Sequence, residues 1–148
     1  PWPSSLPITP AQIAPLRNGE VIEIPVTQLE DSPGRLRHLQ LCAISSEELR
    51  HALLHAARHR HPLTTIVSHS FELASRDGLR PNRTLCRRFE TLCAFLARQR
   101  DRRETVHFTD LADLPLDAAA IPLPAHALRR AKRMVQQLWS NAVYERAL

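Results

Sequence analysis

Leu63-Thr64-Thr65-Ile66-Val67-Ser68-His69-Ser70 is the stretch on which the fold turns. Thr64 to Val67 is β-branched throughout and carries no charge. Such a run reads as a strand buried on both faces, the kind that parallel sheets use. The segment before it reads as a helix. Leu49, Leu53 and Ala56–Ala57 share one face, with Leu54 alongside. Ser45-Ser46-Glu47-Glu48 opens that helix as a capping box, because Ser45 can accept from the Glu48 backbone N–H while the Glu48 carboxylate reaches back. The helix is expected to run to about Arg58, and His61-Pro62 ends it. On the other side, Asp77-Gly78 makes a turn and a second helix begins near Pro81-Asn82. Leu85, Phe89, Leu92–Cys93 and Leu96 give it an apolar face, and Arg98 to Arg103 form a charged tail.

Working outward, the opening Pro1 to Pro15 is proline-rich and reads as an extended loop. Val21 to Val26 reads as a strand, with the Asn18-Gly19 turn before it and Pro25 at its end. Leu29 to His38 is polar, with a turn at Ser32–Gly34. Leu39 to Ile44 is either a strand or an extended entry into the first helix. Thr105 to Phe108 is a third strand candidate. A proline-rich run from Leu114 to Pro124 leads to a last helix, Ala125 to Tyr144. Its inner stripe is expected to be Leu128, Ala131, Val135, Leu138 and Ala142, and its outer side the basic Arg129, Arg130, Lys132 and Arg133. Strands alternating with helices favour an α/β fold with parallel strands. The expected organisation is one domain over residues 1–148, with a core at about 16–112 and a basic C-terminal helix at 125–144.

The 148 residues are 43% hydrophobic and 24% charged, a globular balance that argues against wholesale disorder. Three glycines against 12 prolines exclude a Gly-rich phosphate loop. No apolar run approaches the roughly 20 residues of a membrane-spanning helix. The formal net charge is +5, and of the 20 basic residues only Lys132 is not arginine. An anionic partner would suit this charge. The arginines are scattered, however, and the basic side of the last helix has no interleaved aromatics, so nucleic acid is disfavoured. Cys42, Cys86 and Cys93 have no C-x-x-C spacing and read as small, reduced, buried apolar side chains rather than a disulfide framework, Cys86 and Cys93 sharing one helix face. Localisation reads as cytoplasmic or cell envelope, and reduced cysteines favour the former.

Three groups could carry chemistry. His51, His55 and His59 recur every four residues on the first helix, with His61 beyond. Two such His can chelate a metal, but Ala52 stands where the glutamate of H-E-x-x-H would be, and no further ligand has suitable spacing. His69 sits directly after the strand, where α/β folds place reactive groups, and a His there can transfer protons near neutral pH. The loop Phe71–Asn82 offers Glu72, Arg76, Asp77 and Arg80, with Arg83 just beyond, to a polar or anionic ligand.

Thr65-Ile66-Val67-Ser68-His69-Ser70-Phe71-Glu72-Leu73 also resembles a known family. So do Glu20-Val21-Ile22-Glu23-Ile24-Pro25-Val26-Thr27, and His38-Leu39-Gln40-Leu41 running into Ser46-Glu47-Glu48-Leu49, and Arg88-Phe89-Glu90. Over about Pro7 to Asp110 this pattern and order is similar to the C-terminal part of NodB-type polysaccharide deacetylases, carbohydrate esterase family four, in the subgroup associated with exopolysaccharide synthesis. The resemblance implies part of a distorted (β/α) barrel and a hydrolase that removes acetyl groups from N-acetylated oligo- or polysaccharides. It implies a divalent, zinc-like metal held by an Asp and by a H-[ST]-x-x-H pair, none of which this chain carries. Val67-Ser68-His69 matches the family's late motif. The resemblance thereby assigns His69 the role of general acid toward the departing amine and Val67 the wall of the acetyl pocket.

A (β/α) barrel typically takes about 250 residues. With Pro1 rather than Met first, the expectation is a C-terminal portion, inactive alone and partnered by a missing N-terminal half. The alternative is a non-catalytic α/β module that uses Arg-rich helices on an anionic partner.

Overall fold

The computed structural model describes residues 12–111 and 113–145. Residues 1–11, and with them most of the proline-rich opening, lie outside the described residues. The chain is a mixed α/β fold with two small antiparallel sheets and three α-helices.

Each sheet is a hairpin. β1 (Leu16–Asn18) pairs with β2 (Val21–Glu23) across a two-residue turn that starts at Gly19, whose φ of +62° is one that glycine reaches without strain. β3 (Gln28–Ser32) pairs with β4 (Arg35–His38) across Pro33-Gly34, and Gly34 has φ +73°. The expected turn at Ser32–Gly34 is present, but the strands flanking it escape a reading by hydrophobic alternation. The inward residues of β3 are Leu29 and Asp31, and one of the two is a carboxylate. A bulge at Asp31 shifts the register between Glu30 and Ser32, a device that re-aims a side chain.

The ladders are antiparallel, which corrects the expectation of parallel strands. Among the described residues, parallel pairing is confined to two single bridges, Gln40 with Val67 and Leu29 with Leu123. The bridge at Val67 rests on Leu41 N–H to Val67 O at 2.9 Å and Val67 N–H to Leu39 O at 3.0 Å. Thr65 is tied to Thr27 through the Thr27 N–H at 3.2 Å and its own N–H on the Thr27 hydroxyl at 2.8 Å. Residues 64–67 are therefore extended and bonded on two sides, but half-buried rather than covered on both faces. Among the described residues no barrel closes. Thr105–Phe108 does not pair as a strand; a single 3-10 turn, Phe108–Asp110, stands at its end.

The helices follow their local signals. α1 (Ser46–Arg58) begins at the expected capping box, with Glu48 N–H on Ser45 Oγ at 3.1 Å and Ser45 N–H on Glu48 Oε2 at 2.8 Å. α2 (Arg83–Ala97) is capped by Asn82, whose Oδ1 accepts from Leu85 N–H at 3.3 Å. α3 (Ala127–Ser140) continues into a π turn at Asn141–Glu145. The core lies between these elements. Leu39, Leu41 and Ile44 are fully buried with Leu29, Leu49, Ala52 and Leu53, and Ile66, Leu92, Phe95, Leu96 and Leu123 pack against them.

The orientation of α3 is opposite to the expected one. Leu128, Val135, Leu138 and Trp139 are each 60% exposed or more, while Arg133 is 2% exposed. Two carboxylates draw the basic side inward. Arg133 bonds to Asp31, to Glu48 Oε1 at 3.2 Å and to Gln137 at 3.0 Å. Arg130 reaches Asp31 at 3.8 Å, and Lys132 reaches Glu47 at 3.2 Å. Gln137 and Ser140 extend this polar seam to Ala43 O and to Asn82. A buried carboxylate without a cation is far costlier than an exposed leucine, so the ion pairs win over the apolar stripe. The cysteines depart from expectation too: Cys42 and Cys86 are half-buried, and Cys93 is exposed.

Candidate active site

The bridge between Gln40 and Val67 ends the extended segment and delivers His69 to the start of a short 3-10 turn, Ser70–Leu73. That turn closes through Glu72 N–H on His69 O at 3.1 Å, which brings the Glu72 carboxylate beneath the imidazole. His69 Nδ1 lies 3.0 Å from Glu72 Oε1. The His69 side chain is 48% exposed and that of Glu72 only 7%.

Glu72 Oε1 gathers three donors. Gln40 Nε2 is at 2.7 Å, Cys42 Sγ at 3.2 Å and the imidazole completes the set. Burial pushes the Glu72 carboxyl up, but the bonds from His69, Gln40 and Cys42 outweigh it and hold the group below the usual carboxylate range. Glu72 is thus an acceptor only. Nδ1 is then the protonated ring nitrogen, and Nε2 is left to take or give a proton. Glu72 Oε2 is buried and has no hydrogen-bond partner among the described residues. Burial and the adjacent Glu72 push the Cys42 thiol up to about 12, so it stays protonated and is not a nucleophile. Arg88, buried on α2, donates to Leu41 O at 2.6 Å and Cys42 O at 3.2 Å, which fixes the backbone that presents Cys42.

Phe71 stands beside this pair. Its ring stacks on His69 with centroids 5.1 Å apart and a 23° interplanar angle, yet it is 73% exposed. Neither Phe71 nor Cys42 was picked out by the sequence pattern. The signal for Phe71 was its position two residues after His69.

Val67 is half-buried on the bridging segment. A cleft of about 600 Å³ opens between α1, α2 and residues 102–111, and Thr64, Thr65, Ile66 and Ser68 line it. Val67 and His69 are not in that lining, so His69 meets solvent beside the cleft and not within it. The loop Phe71–Asn82 is divided. Glu72 turns inward to His69, whereas Asp77 closes the loop on itself by accepting from Ser75 Oγ and from Leu79 N–H at 3.0 Å.

The histidines of α1 do different work. His55 Nε2 lies 2.9 Å from Ile121 O, and Ile121 N–H donates to His61 Nε2 at 3.3 Å. The two rings clamp one residue of the chain that leads into α3. His59 joins them, with its ring centroid 4.1 Å from that of His55. Among the described residues no group of three or more His, Cys, Asp or Glu is arranged to hold a metal ion. The donor set that the family's divalent metal requires is therefore not found among them.

Comparison with protein families, with curated proteins and with solved structures finds no match to this chain. Among the described residues no helix is long and apolar enough to cross a membrane.

Proposed function

We propose that the chain is the C-terminal portion of a (β/α)-barrel polysaccharide deacetylase-like hydrolase, acting on an N-acetylated saccharide. His69 is its general acid. The observation that carries the reading is the Glu72 carboxylate on His69 Nδ1, which leaves Nε2 unengaged by Glu72 on a half-exposed ring. An acid in this role must hold its proton in a defined direction and give it to nitrogen as the C–N bond breaks. Glu72 fixes the ring; the ring, first protonated at Nε2 as well, gives that proton to the departing nitrogen to form a free amine and is left as the neutral ring with its proton on Nδ1. Exposed Phe71 offers an apolar ring against which the face of a sugar can pack, and Val67 forms part of the wall for the acetyl methyl. The bridges of Val67 to Gln40 and of Leu123 to Leu29 are parallel contacts of the kind a barrel sheet uses, and they support the barrel reading.

The attack on the acetyl carbonyl lies outside what these residues supply, because the described residues hold no ligand set for the metal. The chain alone is therefore expected to release no acetate from a chitooligosaccharide, with or without added zinc. Metal-stimulated turnover by the 148-residue chain would sink this part of the reading. Binding tests the rest. Titration with an N-acetylated chitooligosaccharide should move the His69 ring resonances in an NMR spectrum, and Phe71→Ala should weaken that response. Resonances of His69 that stay unmoved at saturating saccharide would overturn the assignment.

The alternative of an anionic partner on Arg-rich helices has less support. Arg130, Lys132 and Arg133 of α3 already face carboxylates of the same chain. A nucleic-acid mobility shift that weakens with salt would favour it.

A further inference from the structure

We infer that residues 117–125 form a strap across α1 and β3 whose middle fastening is undone by acid, with His61 as the group that lets go while the two ends hold. The strap has three fastenings. At one end Asp117 N–H bonds Pro15 O at 2.8 Å. At the other, Glu30 N–H bonds Leu123 O at 2.9 Å and Ala125 N–H bonds Glu30 Oε2 at 3.1 Å. The middle one is Ile121, held between His55 and His61.

The clamp is built locally. Arg60 has φ +53°, and there the chain reverses after α1. His61 N–H bonds Ala56 O at 2.9 Å and Arg60 N–H bonds Ala57 O at 3.4 Å, the pairing of a Schellman motif, in which glycine usually holds the place of Arg60. The turn sets the His61 ring edge-on to His55 with centroids 5.7 Å apart. Asp117 opens the strap at φ +56°. Among the described residues these are the two non-glycine residues of positive φ, and such strain clusters at switch regions.

The two rings are not equivalent. A carbonyl only accepts, so His55 Nε2 carries the proton in its bond to Ile121 O. An amide N–H only donates, so His61 Nε2 is bare and its proton sits on Nδ1. A second proton on His55 goes to Nδ1 and leaves its bond intact. A second proton on His61 lands on Nε2 itself and sets one N–H against another. The surroundings do not offset the added charge. His55 and His59 face His61 from α1, and Arg58 of α1 and Arg129 of α3 act on His55. The cleft that His61 also lines holds Arg102, Arg103 and Glu104, one carboxylate against two guanidiniums. Burial, and then the charges of His55 and His59, hold the His61 ring below its ordinary 6.5. The fastening is therefore closed above that pH and opens as pH falls below it. The ends do not titrate in this range. Asp117 bonds Pro15 backbone to backbone, and the N–H groups of Gly34 and Ala125 hold the Glu30 carboxyl below the usual range, so it stays ionised at pH 5.

Amide hydrogen exchange of the 148-residue chain at pH 7.5 and at pH 5, each rate divided by that of an unstructured peptide at the same pH, tests this. The Ile121 amide should be protected at pH 7.5 and lose about fivefold or more of that protection at pH 5, the worth of one hydrogen bond. The Asp117 and Ala125 amides should keep theirs. His61→Gln brings a carboxamide oxygen that does not titrate to the same reach and should keep Ile121 protected at both pH values. His61→Ala should leave it unprotected at both, with the melting temperature at pH 7.5 reporting that the variant is folded. His55→Gln retains a donor to Ile121 O and should keep the pH response. Protection of Ile121 that is the same at both pH values in the parent chain would overturn the inference. So would a pH response that survives in His61→Gln, or a loss at pH 5 shared equally by Asp117 and Ala125.

Discussion

Arg133 and Asp31 stand 102 positions apart in the chain and are hydrogen-bonded with side chains 2% and 4% exposed. Asp31 comes from a bulge in β3, and Arg133 from the middle of α3. Burial alone would raise the Asp31 carboxyl. Arg37, Arg133 and Arg130 outweigh it and hold the group below the usual range. This pair sets which face of α3 points inward.

Removing one partner should therefore cost more than any surface change. Arg133→Met leaves Glu48 and Asp31 buried with one cation fewer, and a loss of about 3 kcal/mol is expected. Chemical denaturation measures it. A cost under about 1 kcal/mol would mean that Arg37, Arg130 and Ser45 satisfy the two acids without it.

The clamp on Ile121 predicts a dependence on pH. Burial comes first; the charges of His59, Arg58 and Arg129 add to it at His55, and those of His55 and His59 at His61, so both stay below the ordinary 6.5. Histidines held low in the folded state bind fewer protons there than in the unfolded chain. Their stabilisation is thus complete above about pH 6.5 and declines as pH falls below it. The melting temperature should drop between pH 7 and 5, and His55→Gln with His61→Gln should flatten that slope. An unchanged slope in the double variant would refute the assignment.

Cys42 and Cys93 should differ sharply toward iodoacetamide at pH 8. Exposed Cys93 should react readily. Cys42, held near 12 by burial and by Glu72, should resist. Glu72→Gln removes the negative charge and should speed the labelling of Cys42, as read by mass spectrometry of the two peptides.

Ser45→Ala tests the cap of α1. The hydroxyl accepts from Glu48 N–H in a buried setting, and about 1 kcal/mol should be lost. Denaturant melts would show it as a lower midpoint with an unchanged slope.

The parts of this fold that could be read locally were those whose energetics are local. Ser45 with Glu48, Asn82 with Leu85 and the glycine at position 34 each act within five residues, and all three are where the pattern put them. His69 could be found as well, since a strand-like run pointed to its position. Glu72 was visible only as one polar residue of a loop. Its contact with Gln40 spans 32 positions, and no period in the sequence signals a turn that folds a carboxylate under an imidazole.

The sequence by itself determined the spans of α1 and α2 and the place of His69, because caps, turn glycines and apolar spacing are short-range forces. Only the tertiary structure decided that β3 and β4 form a hairpin and that α3 turns its arginines inward. Amphipathicity says that a helix has two faces. Which face is buried depends on what waits for it, and here Asp31 and Glu48 wait where an apolar surface was expected.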